Sequence, residues 1–187
     1  YEATLAEKWL IEADLLMTYA LAHFGDENSM MFFYTSDEDK ALIARKMEVT
    51  DNVIPSSNSA MAKNLYILGK LLYNDEYIDR SVQMLNNVKK QTLTGMSYYA
   101  NWDILLSWLV SEPYEVVVVG KDYLAMRKEF DQHYLPNVFF AGGRTEGELA
   151  IAENKLVKGS TIIYVCQNKV CKLPTASVQD ALKQLNK

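Results

Sequence analysis

Polar side chains are densest at residues 51–62 of this 187-residue chain, where a loop containing proline runs into a helical pattern. Pro55 disfavours a helical conformation at Ile54, and apolar residues recur at helical spacing after Ser57. The unpaired N–H groups at the start of a helix bind polar ligands such as a phosphate, a carboxylate or a sugar hydroxyl. The stretch therefore predicts a ligand-binding loop. Its candidate residues are Asp51, Ser56, Ser57, Asn58 and, from the preceding segment, Arg45.

A structural interpretation of the same loop stays open. Serine, asparagine and aspartate are the residue types that cap helix N-termini, so the loop would then only start a helix. Asp51 paired with Glu48 or Asp103 would supply two carboxylates for glycoside chemistry, although their spacing in sequence does not fix their separation. The spacing of His23 and His133 from other residues does not predict a catalytic group that contains either of them. His23 fits the last turn of a helix.

The two cysteines, Cys166 and Cys171, form a second candidate group. If Asn168 and Lys169 form a two-residue hairpin turn, the cysteines face each other across two strands. A disulfide is then sterically allowed and easily reduced, and two buried small apolar residues are the alternative. The cysteines are therefore redox candidates. No metal site is expected, because a zinc site needs further ligands.

Composition and motifs exclude several functional classes. The first strand-to-helix turn holds only Gly120, so the fingerprint G-x-G-x-x-G of dinucleotide cofactors is absent. A net charge of -5 with interspersed signs gives no footprint for nucleic acid or an anionic membrane. We find no apolar run of about 20 residues and no signal-peptide pattern. Two cysteines and no N-x-[ST] acceptor predict a cytoplasmic protein.

The hydrophobic periodicity changes near residues 112–114. Before this point it predicts helices over residues 1–112, with one β-hairpin near residues 30–47. After it, Glu115–Val119 and Asn137–Ala141 are strand patterns separated by a helical one, which predicts a right-handed parallel βαβ unit. A β-hairpin and a last helix complete residues 113–187. The sequence therefore predicts a mixed α and α/β chain with a helical domain and a small α/β domain.

Three segments carry a family resemblance. They read R-K-M-E-V-T-D-N-V-I-P-S-S-N-S at Arg45–Ser59, E-V-V-V-V-G at Glu115–Gly120 and Y-V-C-Q-N-K-V-C-K-L-P at Tyr164–Pro174. In this order they resemble the C-terminal end of the thioredoxin-domain-containing proteins related to spermatogenesis-associated protein 20. The resemblance covers essentially the whole chain.

The resemblance implies a multidomain parent with a thioredoxin-like domain, a six-hairpin (α/α) barrel and a small C-terminal α/β piece. The barrel would be similar to those of N-acylglucosamine 2-epimerases and certain glycosidases. This chain would hold the last hairpins of that barrel, with Asp51 and the P-S-S-N-S segment at the mouth of the cavity, where sugars are held. The segment of Cys166 and Cys171 also belongs to the family pattern, whereas Asn52 and Ser57 stand where the family usually has glycine.

Two functions follow as predictions. The first is a carbohydrate-active or sugar-binding role, epimerase-like or glycosidase-like in the full-length protein, with no catalytic residue assigned and no cofactor implied. The second is a non-catalytic helical scaffold or protein-interaction module. An incomplete barrel leaves apolar helix faces uncovered. We therefore expect these faces to pair with the missing N-terminal part of the same protein or to self-associate.

Overall fold

The computed structural model describes residues 1–40 and 43–185. In this part of the chain, six helices combine with one sheet of four strands, which confirms the mixed architecture predicted from the sequence. The helices are α1 (Lys8–Phe24), α2 (Ser57–Leu72), α3 (Asp75–Thr94), α4 (Ala100–Val110), α5 (Tyr123–Phe130) and α6 (Val178–Leu185). The strands are β1 (Tyr114–Val119), β2 (Val138–Gly143), β3 (Ile162–Gln167) and β4 (Val170–Cys171).

The chain divides into two compact units. The α/β unit comprises Tyr1–Ile11, Leu71–Tyr73 and Ser111–Lys187, and the helical unit comprises Glu12–Lys70 and Asn74–Val110. A division at residues 112–114 alone would assign the first eleven residues to the helical unit, whereas they belong to the α/β unit. The assignment of the helices to an incomplete six-hairpin (α/α) barrel stays a prediction.

The sheet of the α/β unit has the strand order β2-β1-β3-β4. Strands β1 and β2 are parallel and are joined through α5, which confirms the predicted βαβ unit. Strand β3 pairs antiparallel with β1, and β4 pairs antiparallel with β3. The apolar run of β1 forms the centre of the core, because Val116–Val119 are fully buried.

The N-terminal segment covers the free edge of β2. The N–H of Phe140 donates to Oε1 of Glu2 at 2.8 Å, and the N–H of Gly142 donates to the hydroxyl of Tyr1 at 3.3 Å. Leu5 is buried in the core of the same unit. An edge strand presents unpaired N–H groups, and these side chains satisfy two of them. This explains why the first residues belong to the α/β unit.

Helices α2, α3 and α4 form the core of the helical unit. Leu65, Met84, Trp102 and Leu105 are buried there. Gly69 allows α2 and α3 to approach closely, since a Cβ atom at this position would lie 2.6 Å from the side chain of Ile78. The first turns of α2 and α4 lie beside the loop at residues 51–56, where Asp51 accepts from the N–H groups of Ser56 and Asn101.

The β-hairpin predicted near residues 30–47 is wrong within the described residues. Residues 30–40 and 43–47 contain no strand, and the one bridge in this region joins Gly25 to Phe32. Ala41 and Leu42, in the second predicted strand, lie outside the described residues. The backbone of Phe32 pairs with a side chain and not with a second strand, because its N–H and its carbonyl both bind the side-chain amide of Asn58.

Within the described ranges, no helix combines the length and the hydrophobicity that a segment crossing a membrane needs.

Candidate functional site

Asp51 is the centre of the polar network that precedes α2. Its side chain is buried, with 3% of the residue exposed. One carboxylate oxygen accepts from the N–H of Ser56 at 2.9 Å and from the hydroxyl of Ser59 at 2.6 Å. The other oxygen accepts from the N–H of Asn101 at 2.8 Å. One carboxylate therefore holds the N-terminal turns of both α2 and α4.

This network sets the protonation state of Asp51. Burial raises the pKa of the carboxyl, and the hydrogen bonds from Ser59, Ser56 and Asn101 lower it. The hydrogen bonds prevail, so the pKa lies below its ordinary value of 3.8. Asp51 is therefore ionised at neutral pH, where its charge also favours the positive ends of the two helix dipoles.

Ser56 is the N-cap residue of α2. Its hydroxyl accepts from the N–H of Ser59 at 3.1 Å and donates to the carbonyl of Val49 at 3.1 Å. Ser59 in turn donates to Asp51, so the loop and the first helical turn form one closed set of hydrogen bonds. This geometry is the capping arrangement that serine favours at this position.

Asn58 is fully buried and acts as a link between segments. Its side-chain oxygen accepts from the N–H of Phe32 at 2.7 Å, and its amide nitrogen donates to the carbonyls of Phe32 and Glu48, both at 2.9 Å. The side-chain amide thus forms the hydrogen bonds that a neighbouring strand would otherwise form with the backbone of Phe32. A saccharide would have to displace these bonds to reach Asn58.

Arg45 and Ser57 lie outside the Asp51 network. The guanidinium of Arg45 donates to the carbonyls of His23 and Thr35 and stacks over the ring of Phe33 at 4.2 Å. Ser57 is partly exposed at the first position of α2. Among the described contacts, none joins Arg45 to the Asp51 loop, so the structure does not bring the five candidate residues into one site.

Three partly exposed residues beside Asp51 were not among the predicted ligand-binding residues. Lys63 contacts the side-chain oxygen of Asn101, and burial lowers its pKa while the charge of Asp51 raises it. Burial and the charge of Asp51 both raise the pKa of Asp103. The sequence placed Asp103 beside Asp51 only as an alternative, and it gave no signal for Lys63 or Asn101, because the approach of α4 to α2 is a tertiary contact.

Cys166 and Cys171 form a disulfide in the β3–β4 hairpin. The register pairs Cys166 with Cys171 and Gln167 with Val170, as the two-residue turn predicted. Asn168 and Lys169 have φ values of 52° and 64°, which fits a type I′ turn. Cys166 is buried, and Cys171 is partly exposed on the short strand β4.

An exposed apolar surface lies on α1 in the helical unit. Leu15, Leu16 and Tyr19 are 59%, 68% and 47% exposed, and we call these three residues the α1 face. Spacings of three and four residues place them on one side of the helix, whereas Met17 on the other side is buried. Acidic groups border the face. Glu12 is exposed one turn before it, and Glu38 accepts a hydrogen bond from the hydroxyl of Tyr19 at 2.6 Å.

Comparison with known proteins gives no relative of this chain: no protein-family model, no curated protein and no solved structure matches it.

Proposed function

We propose that this chain is a non-catalytic interaction module, formed by the last hairpins of an (α/α) barrel in a multidomain protein. The observation that carries the proposal is the exposed α1 face. Large apolar side chains exposed side by side on one helix favour association with another protein surface. The polar loop supports the same proposal, because Asp51, Ser56, Asn58 and Ser59 are buried and use their polar groups within the protein.

The partner is an amphipathic helix with an apolar stripe and basic flanks. We expect a helix as the partner of the α1 face. The apolar stripe of an amphipathic helix, at positions i, i+3, i+4 and i+7, has the same helical spacing as Leu15, Leu16 and Tyr19. Glu12 and Glu38 border the face and favour lysine or arginine on the partner. In the barrel hypothesis, this partner is a helix from another hairpin of the same protein.

A peptide-binding assay tests this proposal. The probe is a labelled, helix-forming peptide with a leucine stripe and lysine flanks, and fluorescence anisotropy measures its affinity. We expect Leu16→Glu to weaken binding about tenfold or more, because burying a leucine contributes about 1.5–3 kcal/mol. Leu93→Glu is the matched control, since Leu93 is 73% exposed on α3 and lies outside the face.

Three results would contradict the interaction module. One is a wild-type chain that binds no peptide and sediments as a monodisperse monomer at all concentrations. Another is an equal loss of binding in Leu16→Glu and Leu93→Glu, which would remove the special role of the α1 face. Equal affinity for a peptide with glutamate flanks would show that Glu12 and Glu38 do not favour a basic partner.

Saccharide binding is a second candidate function, and one observation favours it. Lys63, Asn101 and Asp103 are partly exposed beside the ionised Asp51 and carry charged and amide groups. Such groups are suited to bind sugar hydroxyls. A thermal-shift screen of mono- and disaccharides distinguishes the two functions. A sugar that raises the melting temperature of the wild type, but not of Lys63→Met, would support this site, and no shift with any sugar would contradict it.

A further inference from the structure

The β3–β4 hairpin exposes its two cysteines unequally. Cys166 lies on β3, between β1 and β4, and is 1% exposed. Cys171 lies on β4 at the edge of the sheet and is partly exposed. Its neighbour Val170 is 73% exposed, so the outer side of β4 faces solvent. A reagent in solution therefore reaches the sulfur of Cys171 more easily than that of Cys166.

Basic residues lie on both sides of Cys171 in the sequence. Lys169 occupies the turn before Cys171, and Lys172 follows it directly. The ammonium group of Lys172 lies 4.6 Å from the ring centroid of Tyr114. Positive charge on the hairpin attracts a thiolate that approaches from solvent. The hairpin thus combines a partly exposed cysteine with two lysines that are its neighbours in the sequence.

We propose that the Cys166–Cys171 disulfide is a thiol–disulfide exchange site whose co-substrate is a dithiol. A thiolate of the dithiol attacks Sγ of Cys171, and the disulfide bond breaks. The electron pair of that bond leaves on Sγ of Cys166, which takes up a proton. The second thiolate of the dithiol then attacks the mixed disulfide and releases Cys171 as a thiolate, which is also protonated. Two electrons and two protons pass to the protein, and the dithiol leaves as a disulfide.

Reduction has a structural consequence at the tip of the hairpin. Strand β4 pairs with β3 through two register pairs only, and the cysteines form one of them. The tip binds Glu112, because Nε2 of Gln167 donates to its carbonyl at 2.6 Å and the amide of Asn168 contacts its carboxylate. Without the disulfide, no covalent bond joins β4 to β3 and backbone pairing alone holds them together, so we expect the contacts with Glu112 to weaken.

Redox titration of the intact chain tests the proposal. The protein is equilibrated in mixtures of oxidised and reduced dithiothreitol, quenched with acid, alkylated and weighed by mass spectrometry. We expect reversible two-electron reduction of the folded protein, accompanied by shifts in the side-chain amide NMR signals of Gln167 and Asn168. A disulfide that stays oxidised in the folded chain and is reduced only when urea unfolds the chain would overturn the proposal.

The direction of attack is tested with single-cysteine variants. Cys166→Ser leaves the exposed thiol of Cys171, and Cys171→Ser leaves the buried thiol of Cys166. With 5,5′-dithiobis(2-nitrobenzoate), we expect the thiol of Cys171 to react about tenfold faster or more, since reactivity follows access and thiolate character. Equal rates, or a faster reaction at Cys166, would overturn the assignment. The redox titration uses the wild type, so it decides the proposal even if a variant does not fold.

Discussion

Within the helical unit, the Asp51 loop buries polar side chains, whereas the α1 face exposes apolar ones. In the loop, Asp51 and Asn58 are buried and their hydrogen bonds connect helices and backbone segments. On the α1 face, Leu15 and Leu16 are more than half exposed. Density of polar residues alone is therefore a poor guide to a binding site. The polar groups of Asp51 and Asn58 already have partners within the protein, whereas Leu15 and Leu16 expose their apolar side chains on the surface of a helix.

Replacing Asp51 gives the largest effect expected from this comparison. Asp51→Ala removes an acceptor from three buried or partly buried donors on Ser56, Ser59 and Asn101. We expect the free energy of unfolding to fall by roughly 3–5 kcal/mol, since hydrogen bonds to a charged group and unpaired buried donors both contribute. Urea denaturation measures the change. Asp79→Ala, on the exposed side of α3, serves as the control.

The pH dependence of stability sharpens the same prediction. The folded pKa of Asp51 lies below its ordinary value of 3.8, so the folded state favours the ionised form. This contribution is fully present above pH 3.8 and is lost as the pH falls through the folded pKa. Asp51→Asn keeps the shape of the side chain without the charge. Its stability curve should therefore be flatter than that of the wild type below about pH 4, and an identical slope would contradict the assigned network.

Replacing Asn58 has the next largest expected effect. Asn58→Ala leaves the N–H and the carbonyl of Phe32 without their partner. We expect a loss of about 2–3 kcal/mol in the free energy of unfolding, because unpaired buried groups cost about 1–3 kcal/mol each and relax in part. Asn64→Ala is the matched control, since Asn64 is exposed on the same helix. A control variant that is equally destabilised would contradict the linking role of Asn58.

Local patterns predicted the α/β unit well. The turn residues Asn168 and Lys169 fixed the register of the β3–β4 hairpin, because turn length determines which residues face each other. The βαβ unit followed from the apolar run of β1 and the helical spacing after it. In each case, the residues that determine the structure are close together in the chain.

Contacts between distant residues explain what the sequence did not predict. The apolar segment at residues 30–35 is not a hairpin strand, because Asn58 pairs with Phe32 from 26 residues away. The first residues join the α/β unit through the contact of Glu2 with Phe140, at a separation of 138 residues. The ligand-loop prediction named Asp51 from local pattern alone, whereas the placement of α4 decides that its carboxylate is surrounded by donors from the protein.

Leu16→Glu gives the smallest expected effect on stability and the clearest test of the α1 face. Leu16 is 68% exposed, so the charge remains in water and the free energy of unfolding should change by no more than about 0.5 kcal/mol. Urea denaturation and the peptide assay are therefore run on the same sample. A variant that keeps its stability and loses the peptide shows that Leu16 contributes to binding and not to folding. A variant that is destabilised by several kcal/mol shows instead that Leu16 belongs to the core, and the α1 face is then no docking surface.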